Sequence, residues 1–347
     1  MINYTLKIAE LRKETSDAVT IIFKQPGLKK IKYKAGQYIS LIFKINGRRY
    51  VRPYSFSSAP GVDKNLEVTV KRVSEGAVSN HILDKINIDD LVEVIEPMGD
   101  FVLSDSFCNS SDQRDLILWG AGSGITPLFS ILKYVLANYE SKVTLVYGNR
   151  NHETIIFHEQ LNVLKEVYSD RFFIHHFHTQ PTHRPNDSNF INGRINAKKV
   201  VDIIKNDNEV KNSFHYICGP SDLKLSIKKV LADLQVSPDD IYSEDFELVK
   251  CEKDFEDIVA RTVKIVYNSK SFEVEVTKGK SILEAGLDAL IEMPYSCQTG
   301  NCSVCKGKLV NGVVKQIGPE KSKHALEHDE YLLCCAYPLL DSVEIHI

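Results

Sequence analysis

The sequence predicts three domains in series: a small antiparallel β-barrel, an α/β domain on a parallel sheet, and a small α+β domain. Three observations predict it. Short alternating segments rich in β-branched residues give way to strand–helix alternation after the polar stretch 108–114. A run dense in charge, residues 247–261, then precedes a return to short strands. Five of the eight cysteines fall between residues 297 and 335. The boundaries expected from these changes are 1–106, 113–246, a linker at 247–261, and 262–347.

Bulk properties narrow the function classes. A chain of 347 residues has room for two or three cores. Its 43% hydrophobic and 26% charged residues are those of an ordinary globular protein. A net charge of -3 offers no general attraction for nucleic acid. No apolar run reaches the roughly 18–20 residues needed to cross a bilayer, so no membrane partner is expected. The first residues, Met1-Ile-Asn-Tyr-Thr-Leu-Lys7, lack a basic-then-apolar export pattern, and a cytoplasmic location is the expectation. In such a chain clustered cysteines point to metal rather than to disulfides.

In the first domain, Tyr38–Phe43 and Leu66–Lys71 read as strands between Gly, Pro and Asn turns, and one helix is expected near Ser79–Ile86. Spacing of this kind suits a small barrel. In the second, strands are expected at Leu116–Trp119, Val143–Tyr147, Phe172–Phe177 and His215–Cys218. Helices are expected at Pro127–Leu136, Ile156–Val167, Ala197–Lys205 and Leu223–Leu234. That alternation implies a parallel sheet covered on both faces. In the third, strands Val263–Tyr267 and Ser271–Val276 precede a helix near Ile282–Ile291, the cysteine loop and further strands.

The cysteines are spaced Cys297-x4-Cys302-x2-Cys305, then 28 residues, then Cys334. Two irons bridged by two sulfides need four outer thiolates, and thiolate is a soft ligand suited to iron. Three ligands on one tight loop need small residues between them, which Gly300 and Ser303 provide. The competing reading is structural zinc, but that usually takes two Cys-x2-Cys knuckles and only one is present. Cys334 and Cys335 are adjacent, and on a strand only one of them can face the cluster. The histidines 175, 176, 178 and 183 lack carboxylate partners at useful spacing and read as structural.

Two upstream segments carry nucleotide chemistry. Arg52-Pro53-Tyr54-Ser55 offers a cation for a flavin phosphate, an aromatic ring for the isoalloxazine and a small donor near N5. Gly76-Ala77-Val78-Ser79 opens a helix whose first amides suit a pyrophosphate. Alone, the first segment is also an unremarkable surface strand. Gly120-Ala-Gly122-Ser-Gly124-Ile-Thr126-Pro127 lies between a strand and a helix, where glycines admit a pyrophosphate. Its spacing is not the Gly-x-Gly-x-x-Gly of dinucleotide dehydrogenases. Cys218-Gly219-Pro220 ends a later strand. Cys218 sits there either against a nicotinamide or as a small buried hydrophobe. Arg150, after another strand, meets the 2′-phosphate of NADPH or is an exposed arginine of no special role.

Taken in order, Arg52-Pro-Tyr-Ser, Gly76-Ala-Val-Ser, Pro97-Met-Gly-Asp-Phe101, the glycine turn, Cys218-Gly-Pro and the cysteine quartet resemble the ferredoxin–NADP⁺ reductase superfamily with a C-terminal plant-type ferredoxin domain. The resemblance spans essentially the whole chain. It implies an FAD-binding barrel, an NAD(P)-binding α/β domain and a β-grasp [2Fe–2S] domain. It implies that Arg52, Tyr54, Ser55, Gly76, Val78 and Ser79 hold FAD and that Thr126 and Cys218 flank the nicotinamide. Glu244 and Phe246 match an acid-x-aromatic stretch near the flavin, against the plain alternative of a solvated turn. Ser55, Cys218 and Glu244 are the expected catalytic set. Where the family has Gln after its last ligand this chain has Cys335, which favours Cys334 as the fourth ligand. The implied activity is oxidation of NADPH or NADH, with electrons leaving through FAD and the [2Fe–2S] cluster to a protein acceptor, an oxygenase or hydroxylase component. A hybrid-cluster protein, a desaturase or a separate ferredoxin are alternative acceptors. A redox-sensing or docking module is the rival of a different class.

Overall fold

The computed structural model describes residues 2–27, 30–109, 114–180, 190–205, 210–248, 250–318 and 326–347; His183 lies outside the described residues. Its contacts divide the chain into two bodies, Met1–Leu41 with Tyr54–Glu244 and Ile42–Pro53 with Asp245–Ile347.

Strands β1 (Asn3–Thr15), β2 (Ala18–Phe23), β3 (Tyr38–Ile45), β4 (Arg48–Ser55) and β5 (Leu66–Lys71) are followed by α1 (Ala77–Lys85) and β6 (Leu91–Met98). They form a six-stranded sheet in the order β4-β3-β6-β1-β2-β5. A bridge from Phe56 to Val68 of β5 returns the chain after β4 to the far edge, which closes the barrel. The β3–β4 hairpin turns on Asn46 and Gly47, both at positive φ, the two-residue turn that matches strand twist. Helix α1 starts at Ala77, two residues before the sequence expectation, because Gly76 is the extended residue that caps it.

A short α2 (Asp105–Cys108) leads to β7 (Leu116–Ala121), α3 (Ile125–Asn138), β8 (Val143–Asn149), α4 (His158–Val167), β9 (Phe172–His178), β10 (Phe190–Asn192), α5 (Ala197–Lys205), β11 (Phe214–Cys218), α6 (Ser221–Asp233) and β12 (Ile241–Glu244). Their sheet runs β10-β9-β8-β7-β11-β12 and every pairing is parallel. Alternate residues feed two cores. Leu118, Leu145 and Tyr216 pack with α3 on one face, and Ile117, Trp119 and Ile217 pack with α6 on the other. Burial on both faces explains the unbroken apolar runs in the sequence. Ala18, Ala35 and Phe101 join the α3 side, so barrel and sheet share a core. Ser130 Oγ donates to Ser58 O at 2.5 Å and Tyr216 Oη donates to Val102 O at 3.0 Å across the same joint.

In the second body, β13 (Arg261–Tyr267), β14 (Lys270–Val276), α7 (Ile282–Asp288), β15 (Lys306–Asn311), β16 (Val314–Gln316), β17 (Glu330–Leu332), β18 (Ala336–Pro338) and β19 (Glu344–His346) complete the chain. The main sheet is β14-β13-β19-β15-β17, with β13 and β19 parallel and the other neighbours antiparallel. Helix α7 starts with a capping box in which Ser281 and Glu284 satisfy each other's amides. The charged stretch 247–261 is anchored rather than free, since Phe255 and Ile258 are buried against Ile317 and Tyr337. Among the described residues no helix is long and apolar enough to cross a membrane.

Candidate functional site

In the first body the strand order reverses at β7. Helix α3 leaves toward β8 on one face, while β11 lies on the other side of β7. Ligands of open parallel sheets gather at such a point, beyond the strand C-termini. There Gly120, Cys218 and Glu244 stand side by side in register on β7, β11 and β12. A Cβ on Gly124 would lie 2.2 Å from Cys218 O, and one on Gly219 would lie 3.2 Å from the Ala121 amide. Glycine at 124 is therefore a packing requirement between two strand ends. Gly122 has φ +54 and its absent Cβ faces Lys71 Nζ at 3.9 Å. Tyr147 Oη donates to Gly122 O at 3.0 Å, and Thr126 Oγ1 donates to Ser123 O at 3.0 Å. Pro127 lies in the first turn of α3, where its missing N–H costs nothing.

Burial is what distinguishes the residues of this crevice. Cys218 is 1% exposed, and burial pushes its thiol well above the usual range, with Glu244 adding to the effect. Lys224, four residues into α6, is 6% exposed and donates from Nζ to Glu244 O at 3.4 Å. Arg150 is 60% exposed at its side chain and pairs with Asp17 at 3.4 Å, which Lys71 also approaches at 3.7 Å.

On the barrel side of this body, Ser55 is buried and Tyr54 half-buried at the end of β4. Ser79 Oγ accepts from Val73 N at 3.1 Å and donates to Gly76 O at 3.3 Å, which closes the turn before α1. Val78 is buried with its side chain in the core, so only its backbone amide faces a ligand at that helix start. Gly76 caps α1 without a side-chain hydrogen bond, so the first amides are left for an anion.

The second body holds Arg52, Pro53, Phe246 and the cysteine quartet. Cys297 N donates to Cys302 Sγ at 3.4 Å, and Thr299 N donates to Cys297 Sγ at 3.4 Å. Gln298, Gly300 and Ser303 all take positive φ, which winds the loop so that amides turn inward. The hydrogen bond with Cys302, helped by the amides of Thr299 and Asn301, brings the Cys297 thiol down to about 5. The same hydrogen bond and burial push the Cys302 thiol up. Cys305 and Cys334 are both buried, and Cys305 O accepts from Leu333 N, the neighbour of Cys334, at 2.9 Å. Four thiols suit two irons, two to each. Among the described residues no group of three or more His, Cys, Asp or Glu side chains is arranged to hold a single metal ion.

Expectation and structure part at the fourth ligand. Residues Leu333–Cys335 form a 3₁₀ turn, not a strand, so alternation does not separate the two cysteines. Cys334 Sγ and Cys335 Sγ are both buried, 3.6 Å apart. Cys305 O accepts from Leu333 N at 2.9 Å, which sets Cys305 beside this turn.

Tyr295, two residues before Cys297, accepts a hydrogen bond from Val51 N at 2.9 Å, and Arg48 pairs with Asp288 at 2.7 Å. Arg52 donates from Nη1 to Val51 O at 2.9 Å, with its guanidinium 5.8 Å from the Tyr50 ring. That cation faces no carboxylate among the described residues, as a phosphate ligand requires. Phe246 is 44% exposed.

Sequence reasoning misses Lys71, Tyr147, Lys224 and Tyr295. Lys71 ends a strand just before the Gly76 turn, which is a readable signal. Lys224 looks like one of several helix-surface lysines in the sequence and shows its burial only in the fold.

Comparison with known proteins agrees with this division of labour. A family model for oxidoreductase FAD-binding domains matches residues 5–103. One for oxidoreductase NAD-binding domains matches 118–229, and one for 2Fe-2S iron-sulfur cluster binding domains matches 265–339. The ferredoxin reductase component of 3-ketosteroid-9-alpha-monooxygenase from Mycolicibacterium smegmatis is 29% identical over 98% of this chain and 96% of its own. A component of the 1,2-phenylacetyl-CoA epoxidase from Escherichia coli is 29% identical over 99% of this chain and 97% of its own. The solved structure of phthalate dioxygenase reductase superposes with a TM-score of 0.68 at 23% identity, covering 99% and 98% of the two chains, and shows a shared fold.

Proposed function

We propose, from the premise that this chain belongs to the ferredoxin–NADP⁺ reductase superfamily and carries a C-terminal ferredoxin-type domain, that it is the reductase component of a multicomponent oxygenase or hydroxylase. The observation that carries this reading is the burial of four free thiols, Cys297, Cys302, Cys305 and Cys334, with amides of the cysteine loop turned to its sulfurs, in a chain that also has the glycine crevice at β7 and β11. A bound flavin would supply two-electron chemistry toward NAD(P)H, and a [2Fe–2S] cluster held by Cys297, Cys302, Cys305 and Cys334 would supply one-electron transfer to the acceptor. Components of a steroid monooxygenase, of an epoxidase and of the glycine betaine monooxygenase of Chromohalobacter salexigens are similar along nearly their whole lengths, which supports an oxygenase as that acceptor.

The following roles for the chain's own residues belong to this proposal. By the resemblance Arg52 would serve a flavin phosphate; within the first body, the amides after Gly76 suit a pyrophosphate. Tyr54 and Ser55 end the strand that presents the flavin's reacting edge. Gly120, Gly122 and Gly124 open room for the coenzyme pyrophosphate, beside Lys71. Cys218, Gly219 and Pro220 floor the nicotinamide position with Glu244 adjacent, and burial there excludes water. Arg150, largely exposed, is placed to meet a 2′-phosphate by exchanging Asp17 for it. Anaerobic stopped-flow spectra test the reading. NADPH or NADH should bleach the flavin and then the cluster bands; bleaching that stops at the flavin sinks the relay.

A further inference from the structure

Cys335 is a thiol that the four cluster ligands leave over. It follows Cys334 in the 3₁₀ turn Leu333–Cys335 and is 0% exposed. Backbone bonds fix the turn at both ends. Leu333 N donates to Cys305 O at 2.9 Å, and Ile317 N donates to Cys335 O at 2.8 Å, next to the pairing of Gln316 on β16 with Ala336 on β18. The Cys335 side chain is enclosed as well. Gly318 backs onto it so closely that a Cβ there would lie 2.9 Å from Cys335 Sγ and 3.4 Å from Cys335 Cβ. Cys334 Sγ lies 3.6 Å from Cys335 Sγ, within hydrogen-bonding reach for sulfur, and either thiol can donate while both carry hydrogen. An iron ligand is a thiolate, so with Cys334 on iron only Cys335 has a hydrogen to give.

We propose that Cys335 is a positioning residue that acts through Cys334: its S–H donates to the Cys334 thiolate and so favours the reduced form of the cluster. This rests on the cluster reading above, with Cys334 as the fourth ligand. Reduction adds one negative charge to the cluster and its thiolates, and a hydrogen bond to a ligand sulfur stabilises the more negative state. The hydrogen stays on Cys335 throughout, so the step moves an electron and no proton. Because Cys335 is fully buried, solvent does not compete for the bond, and the low local dielectric strengthens it. A thiol is a weak donor, and the net worth of one such bond corresponds to about threefold to tenfold in the reduction equilibrium. For one electron that is about 30–59 mV.

The test is anaerobic redox titration of the full-length, cluster-loaded protein, with the reduced cluster followed by its electron paramagnetic resonance signal. Each variant is first assayed for iron and acid-labile sulfide. Cys335→Ala should lower the cluster's midpoint potential by about 30–59 mV, the threefold to tenfold loss above. Cys335→Val, which fills the space without a donor, should follow it, and carries the test should the Ala variant lose its cluster. Cys335→Ser keeps a hydroxyl donor and should stay within about twofold of the parent in the same equilibrium. The infrared difference spectrum, parent minus Cys335→Ala, should show an S–H stretching band shifted down from that of an unbonded thiol. Ala and Val potentials at or above the parent's overturn the role of Cys335. So do a Ser variant that falls with them and an S–H band at the unbonded position. Loss of iron in Cys335→Ser with retention in Cys334→Ser overturns it too, by making Cys335 the ligand. A parent protein that binds no iron and sulfide overturns the cluster reading instead.

Discussion

At the residue scale, three side chains give distinct expectations. His215 is fully buried on β11 of the parallel sheet, with Nδ1 accepting from Trp119 Nε1 at 3.2 Å and Nε2 turned to Val210 O at 3.4 Å. That pattern fixes the neutral tautomer, and burial lowers its pKa to about 4. The unfolded chain takes up this proton near pH 6.5 and the folded chain does not, so the unfolded state binds more protons between those values. Stability from this group is complete above about pH 6.5 and falls as pH drops toward 4, by up to about 3 kcal/mol. The Tm of the parent should fall more between pH 7 and 5 than that of His215→Leu, which starts lower because the Trp119 N–H loses its acceptor; equal slopes would refute the assignment. For the cluster, Cys334→Ser should abolish bound iron and acid-labile sulfide while Cys335→Ser should keep them, as expected if Cys334 is the fourth ligand and Cys335 stands where the resembled family has Gln. For coenzyme choice, Arg150→Ala should lower kcat/KM for NADPH by about tenfold or more and leave NADH nearly unchanged, as loss of a charge-assisted phosphate contact implies.

At the scale of elements, the glycine turn shows what a sequence reveals and what it withholds. Strand, turn and helix are readable from an apolar run, three glycines and an apolar helical stretch. The reason for Gly124 is not, because the atom that excludes a side chain there is Cys218 O, on a strand brought alongside only by folding. Gly124→Ala should therefore wedge β7 from β11, cost about 1–3 kcal/mol and weaken nucleotide binding. Gly27→Ala, with open space around it and no left-handed φ, should leave both the Tm and the nucleotide Kd within error. The two adjacent cysteines Cys334 and Cys335 are expected on a strand, facing opposite sides. Leu333 N is instead held by Cys305 O at 2.9 Å, and Ile317 N by Cys335 O at 2.8 Å, long-range bonds that no local pattern announces. The run 247–261 reads as a charged linker because its charges outnumber Phe255 and Ile258, the two residues that anchor it.

At the scale of the whole chain, three domains in order are legible from two changes of pattern, but the grouping of the hairpin tip is not. Ile42–Pro53 lies in the middle of barrel strands by sequence, yet it belongs with Asp245–Ile347 by contact. Within that body Val51 N meets Tyr295 Oη at 2.9 Å and Arg48 meets Asp288 at 2.7 Å, so the segment leading into the first cluster cysteine is braced by a distant part of the chain. The buried hydrogen bond contributes about 1 kcal/mol and the half-exposed ion pair less. Cutting the chain between residues 245 and 260 and separating the fragments removes both braces from the cysteine loop while leaving all four cysteines in place. The isolated C-terminal fragment should then lose its acid-labile sulfide roughly five- to tenfold faster than the intact protein, in line with about 1–1.4 kcal/mol less stability. Tyr295→Phe in the intact chain should show a smaller acceleration of the same kind, because only the buried hydrogen bond is lost. A fragment that keeps its cluster as long as the full chain would show that the loop stands without the hairpin, and would make residues 245–347 a self-sufficient ferredoxin.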